Sequence, residues 1–260
     1  MIVRKLDDGS MLLINQTDHA ALSGYFAAHW GNAEFAAPAR RESTVRAAAL
    51  HDCGWSAYET APRYDRQAKS SPSFFQVPND ASQLQAFGAG IDWLTGLDAY
   101  AGLLISRHRT GLWRNRYGVV RTPAMTMRPI DARVEAFAAD YERRQELAMA
   151  GVDRMEFAVN YRLLQFWDIF SLALCMGEPK DQIFEPVPVA YGQAPEDGVT
   201  IRMIPLGGGD IKLDPFPFDQ HPLTLGYVYK RLPTHVFASE AEFRLAWFAA
   251  APQVKSFRFL

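Results

Sequence analysis

The chain has 260 residues, is 48% hydrophobic and 22% charged, and sets 27 Lys+Arg against 29 Asp+Glu for a formal net charge of −2. This composition excludes a disordered chain, and it offers no basic field for nucleic acid and no polybasic face for an anionic membrane, so a small molecule is the expected partner. The opening residues lack a cationic stretch followed by an apolar run, and no segment approaches the roughly 20 apolar residues of a membrane span, so a cytoplasmic protein is expected, with homo-oligomerisation left open. Cys53 and Cys175 lie in apolar helical patterns and are expected as buried free thiols.

In chain order, Ile2, Val3 and Leu6 precede Asp8-Gly9, and Met11 to Ile14 follow it, which predicts a hairpin. Asn15 or Thr17 can cap a helix that carries His19, Leu22, Phe26 and His29 at helical spacing and stops at Gly31. A second helix is expected from just after Ser43 to about Tyr58. The polar stretch 62–82, with Pro72 and Pro78, predicts a long ordered surface loop. Helices over 82–93, 98–108, 130–150 and 154–176 bring the total to five or six. Beyond Pro179, seven prolines (186, 188, 195, 205, 215, 217 and 222) alternate with strand-like runs at 200–204, 211–213, 223–230 and 254–260. Ser239 and Glu242 form a capping box ahead of a short helix. Gly207-Gly-Gly209 lacks the lysine and strand-loop-helix context of a phosphate loop and reads as a turn. The fold class expected is mainly α (α+β): a helical core over 15–180, with 1–14 and 181–260 forming a small antiparallel β annex packed on it as one compact unit.

Chemistry is expected where polar residues interrupt apolar helices. The segment 162–175 is apolar almost all round except for Gln165, Asp168 and Ser171, which share one stripe. A carboxylate there is costly unless a cation, a metal or several donors compensate it. His51 and Asp52 end a run of small apolar residues in the same manner. A bare His-Asp pair is a weak signal, but with His19 and Asp168 it makes two imidazoles and two carboxylates, a mixed N/O set suited to Mn, Fe, Co or Zn, and also to Mg.

His108 in Ser106-Arg-His-Arg-Thr110 reads either as a second-metal ligand or proton donor, with Arg107 and Arg109 steering an anion, or as part of a cationic helix end. Gln16, one turn before His19, and Trp55 are candidate substrate contacts. Glu59 and Asp65 are candidates for a general base or an extra ligand. Phe74, Phe75, Trp93 and Trp113 either wall a pocket or pack in the core. His221 and His235 have no partner visible in sequence.

The order His19, His51-Asp52 and Asp168 resembles the HD superfamily of metal-dependent phosphohydrolases. More narrowly, Gln16-Thr-Asp-His19, His51-Asp-Cys-Gly-Trp55, Ser106-Arg-His108 with Leu112, and Leu163-Leu-Gln-Phe-Trp-Asp-Ile-Phe-Ser-Leu172 resemble the bacterial branch catalogued as domain of unknown function 3891. The resemblance covers most of residues 10–180. It implies an HD-type all-helical core with His19, His51, Asp52 and Asp168 as metal ligands. Many HD enzymes follow His-Asp with a small residue, Gly and Lys, where this chain has Cys53-Gly54-Trp55. Of the two further histidines usual in binuclear members, only His108 is present.

The function expected is that of a metal-dependent hydrolase, a phosphohydrolase acting on a small anionic substrate through a metal-activated water. One or two divalent ions are expected, with Asp52 as a bridge if a second binds and His108 handling the proton. A diiron oxygenase and a non-catalytic metal-containing sensor or scaffold are the alternatives.

Overall fold

Alternation about a Gly9 turn at φ +83° folds the first residues into β1 (Ile2–Lys5) and β2 (Met11–Ile14), paired antiparallel with Ile2 opposite Ile14. In the computed structural model, which describes residues 1–119 and 130–260, this hairpin is the edge of a seven-stranded sheet. The other strands are β3 (Gln182–Val187), β4 (Val199–Gly207), β5 (Asp210–Asp214), β6 (Leu223–Leu232) and β7 (Pro252–Phe259). Their order across the sheet is β1-β2-β6-β7-β5-β4-β3. Only β5 and β7 run parallel; every other neighbouring pair is antiparallel.

The helices are α1 (Gln16–Ala28), α2 (Arg41–Leu50), the single turn α3 (Ser56–Glu59), α4 (Ala81–Leu97), α5 (Ala99–Trp113), α6 (Ala132–Ala148), α7 (Arg154–Cys175) and α8 (Glu240–Ala249). Five start on side-chain caps written into the sequence: Asp80, Asp98, Asp131, Asp153 and Ser239 each accept from an amide of the first turn. The second predicted helix stops at Leu50. His51 keeps helical dihedrals, Asp52 leaves them at φ −110° and ψ 20°, and a tight turn over Cys53–Trp55 follows. None of the described helices is long and apolar enough to cross a membrane.

The expected all-helical HD core with a small β annex is corrected here: the protein is an α+β fold with a substantial sheet, and helices and sheet share one apolar interior. Phe26 of α1 lies 4.7 Å from Phe170 of α7 and 5.5 Å from Phe259 of β7, ring centroid to centroid. Phe166 and Phe170 meet Phe184 of β3 edge-on, each at 5.5 Å. Burying each such ring contributes about 1.5–3 kcal/mol, so the sheet is as much a part of the core as α1 and α7. Strand β2 is buried on both faces: Ile14 joins this core, whereas Met11 and Leu13 pack with Phe243 and Trp247 of α8.

One close approach positions the site. A Cβ on Gly24 of α1 would lie 2.5 Å from Ala49 Cβ and 2.8 Å from its Cα, so only glycine permits this crossing of α1 and α2. The His19 and His51 rings stand 5.0 Å apart beside it.

Candidate metal centre

Four elements converge on one buried point. His19 comes from the second turn of α1, His51 and Asp52 from the end of α2, His108 and Arg109 from α5, and Asp168 from the middle of α7. The ligand atoms of His19, His51 and Asp168 all lie within 4.8 Å of one another, a cluster able to hold a metal ion. His51 Nε2 is 3.3 Å and His19 Nε2 3.8 Å from Asp168 Oδ1. Asp52 borders the trio, with Oδ2 3.1 Å from His19 Nε2 and 3.9 Å from His51 Nε2. His108 Nε2 lies 3.7 Å from Asp168 Oδ2.

The ring orientations are set by atoms outside the cluster. His51 Nδ1 is 2.8 Å from the Ala48 carbonyl, which can only accept, so Nδ1 carries the proton and Nε2 presents its lone pair to the cluster. That Nε2 is buried without a hydrogen-bond partner, facing a carboxylate oxygen. A lone pair set against an anion needs a cation between them, either a proton or a metal ion. His19 is held in the same manner. Its Nδ1 lies 2.8 Å from Ser171 Oγ, and the Ser171 hydroxyl donates to the Asp168 carbonyl at 2.8 Å, which leaves it accepting from the ring. Outer partners of this kind fix tautomer and aim in metal-binding histidines. Ser171→Ala is therefore expected to weaken divalent metal binding by about 10- to 100-fold with little change in secondary structure, as read by chelator competition and circular dichroism.

Charge balance points the same way. Asp52 and Asp168 are almost fully buried, against a single buried guanidinium among the described residues, that of Arg109, which donates to Asp52 Oδ1. Burial opposes ionisation of Asp52, but the His19 ring 3.1 Å from its Oδ2 and the Arg109 charge hold its carboxyl well below the usual carboxylate range. Burial likewise opposes ionisation of Asp168, and His51 above all, then His108 and His19, hold it well below that range. For His51 the desolvation is outweighed by Asp168, and its pKa is raised. His108 is the opposite case: burial dominates and takes it down to about 3, so its ring is neutral at neutral pH.

The remaining sequence candidates fall into separate places. Gln16 Nε2 donates to Asp52 Oδ2 at 3.2 Å, and Arg109 stacks over the Phe87 ring at 4.0 Å while holding the other Asp52 oxygen, so both act on Asp52. Arg107 does not join them; it points into a cavity on another face of α5. Trp55 packs 5.4 Å from Phe87 in an apolar cluster with Val77, Leu84 and Val134. Trp113 also meets Phe87, whereas Phe75 and Trp93 are exposed.

Glu59 is a helix cap supplied from outside α1. Asn15 makes no side-chain cap, and the Glu59 carboxylate accepts from the Gln16 amide and from Thr17 N and Oγ1 at 3.3 and 2.7 Å. Asp65 is exposed and closes a turn through the Gln67 and Ala68 amides. His29 pairs with Asp219, His235 meets the Gly9 carbonyl, and His221 packs on Phe216.

Tyr117 is a member of the site that sequence reasoning missed. Its hydroxyl donates to Asp168 Oδ2 and lies 3.1 Å from the Gln165 carbonyl. Gln165 fixes this segment, accepting from the Gly118 amide at 3.0 Å and donating to the Arg116 carbonyl at 2.9 Å. The polar stripe of α7 thus performs three tasks: Gln165 holds the Tyr117 segment, Asp168 faces the cluster and Ser171 aims His19. A cavity of about 10 Å³, room for one water, lies beside His51, Gly54, Phe87 and Arg109.

The family model described as Protein of unknown function (DUF3891) matches residues 1–234, a span that includes every residue of this centre. No curated protein and no solved structure matches the chain.

Proposed function

We propose that this chain, which belongs to the family described as Protein of unknown function (DUF3891), is a metal-dependent hydrolase acting on a small anionic, phosphorylated substrate. The observation that carries the reading is the His51 imidazole, whose Nδ1 donates to the Ala48 carbonyl while its buried Nε2, without a hydrogen-bond partner, faces Asp168 Oδ1 at 3.3 Å. His19, His51 and Asp168 would hold the ion, with Asp52 beside them as a fourth ligand. A set of two imidazoles and two carboxylates suits Mn, Fe or Zn, and also Mg. When bound, a divalent ion supplies an acidified water and polarises a substrate oxygen.

The chain's own groups prepare that chemistry. Tyr117 occupies Asp168 Oδ2 and leaves Oδ1 for the cluster. Arg109 and Gln16 hold Asp52 ionised and aimed. His108, neutral at working pH, serves as a ligand or a hydrogen-bond partner rather than as a proton donor. Kinship with the HD superfamily is proposed on the order of the ligands along the chain, not on an all-helical core.

Metal-loaded protein is expected to hydrolyse at least one member of a panel of phosphomonoesters, nucleotides and cyclic dinucleotides, with the rate abolished in His51→Ala. Inactivity across that panel would contradict the hydrolase. A second reading, a closed structural metal, draws support from the burial of all four ligands and from the small cavity beside them. It predicts a bound ion that raises the melting temperature without any turnover. Two irons with a visible absorption band would instead favour the oxygenase.

A further inference from the structure

We propose that a face of α5 lying outside the metal centre forms, with α6 and α7, a second binding site, which takes a small aromatic monocarboxylate. The inference does not depend on the metal or on hydrolysis. A cavity of about 170 Å³ lies between Leu103 and Arg107 of α5, Gln145 and Met149 at the end of α6, and Phe157 and Tyr161 of α7. For scale, a cavity of about 150 Å³ holds a benzene molecule.

Two features define the ligand. The first is charge. Arg107 pairs with no carboxylate among the described residues, whereas Arg154 at the cavity is matched by Glu146 at 3.4 Å, so one net positive charge faces the space. A carboxylate meets a guanidinium through two parallel hydrogen bonds, which makes a monoanion the fitting partner.

The second is the wall. Phe157 and Tyr161 have near-parallel rings, 12° apart in plane, beside the apolar side chains of Leu103 and Met149. A flat apolar body carrying a carboxylate meets both.

The test uses benzoate as the probe, titrated calorimetrically into the full chain both after chelator treatment and after metal loading. Saturable binding with Kd below about 1 mM is expected, with the same value in both preparations because the metal ligands take no part. Benzyl alcohol, lacking the anion, is expected to bind at least tenfold more weakly. Arg107→Gln is expected to weaken benzoate binding tenfold or more at an unchanged melting temperature. Ala158 of α7 also lines the cavity, and Ala158→Leu, which fills it, is expected to abolish binding; should that variant fail to fold, Arg107→Gln decides alone. The proposal is overturned if no saturation is reached by about 10 mM, if Arg107→Gln binds as well as the parent, or if binding requires the metal.

Discussion

Asp168→Ala is expected to weaken divalent metal binding by about a hundredfold or more, the largest single effect on the centre. Structural zinc sites with four ligands bind with roughly 10–16 kcal/mol, so one ligand contributes about 3 kcal/mol, which is about a hundredfold in affinity. Asp168 should stand at or above that average, because its carboxylate lies within 3.3, 3.7 and 3.8 Å of the nearest nitrogens of His51, His108 and His19. The same substitution should also change how stability depends on pH.

In chelator-treated protein, the raised pKa of His51 contributes stability that is fully present below the ordinary histidine value of 6.5 and lost as pH rises through the folded value. The depressed pKa of Asp168 contributes stability present above 3.8 and lost as pH falls through its folded value. The metal-free parent is therefore expected to be most stable between these limits and to soften above them. Metal-loaded protein should strengthen over the same upper range, because ligation requires neutral imidazoles. Asp168→Ala should abolish both behaviours. Thermal melts from pH 4 to 9, with and without chelator, measure this, and identical profiles for parent and variant would refute it.

Arg109→Ala carries the largest expected loss of stability, about 3–5 kcal/mol, because it leaves the buried Asp52 carboxylate without its guanidinium. At a few degrees per kcal/mol for a chain of this size, the melting temperature should fall by about 10 °C. The sign with pH follows from Asp52, whose depressed pKa gives stability above 3.8 that disappears in acid. The gap between parent and variant should therefore narrow as pH falls. Arg109→Lys should restore only part of the loss, since an ammonium keeps the charge but not the planar stack over Phe87. Denaturant titration at pH 7 and pH 4 checks both statements.

The histidines and aspartates of the centre were legible because each is a polar exception inside an apolar helical pattern, and burial then demands a partner. Their neighbours were less legible. Tyr117 sits outside any periodic segment, and nothing local marks its reach to Asp168. Glu59 caps a helix 43 residues earlier in the chain, a relation that no capping motif encodes. Arg107 and Arg109 look equivalent in sequence, yet two residues on a helix differ by about 200° of rotation, so one reaches Asp52 and the other a different cavity.

Most strands and the α8 helix followed from alternation and turn residues. The extent of the sheet did not, because it depends on pairings far apart in the chain: β2 with β6, and β5 with β7. Strand β3 was missed because Pro186 breaks the alternation that marks a strand, although Phe184 and Val187 are both fully buried. The glycine that lets α1 and α2 cross, Gly24, also reads as ordinary in one dimension. What demands it is the proximity of Ala49.

The most direct test of the metal centre is elemental analysis of the purified parent beside His51→Ala. One or two divalent ions per chain are expected in the parent, removable by chelator and restored by Mn, Fe, Zn or Mg, with none retained by the variant. A folded parent that contains no metal and takes up none when these ions are added would contradict the account.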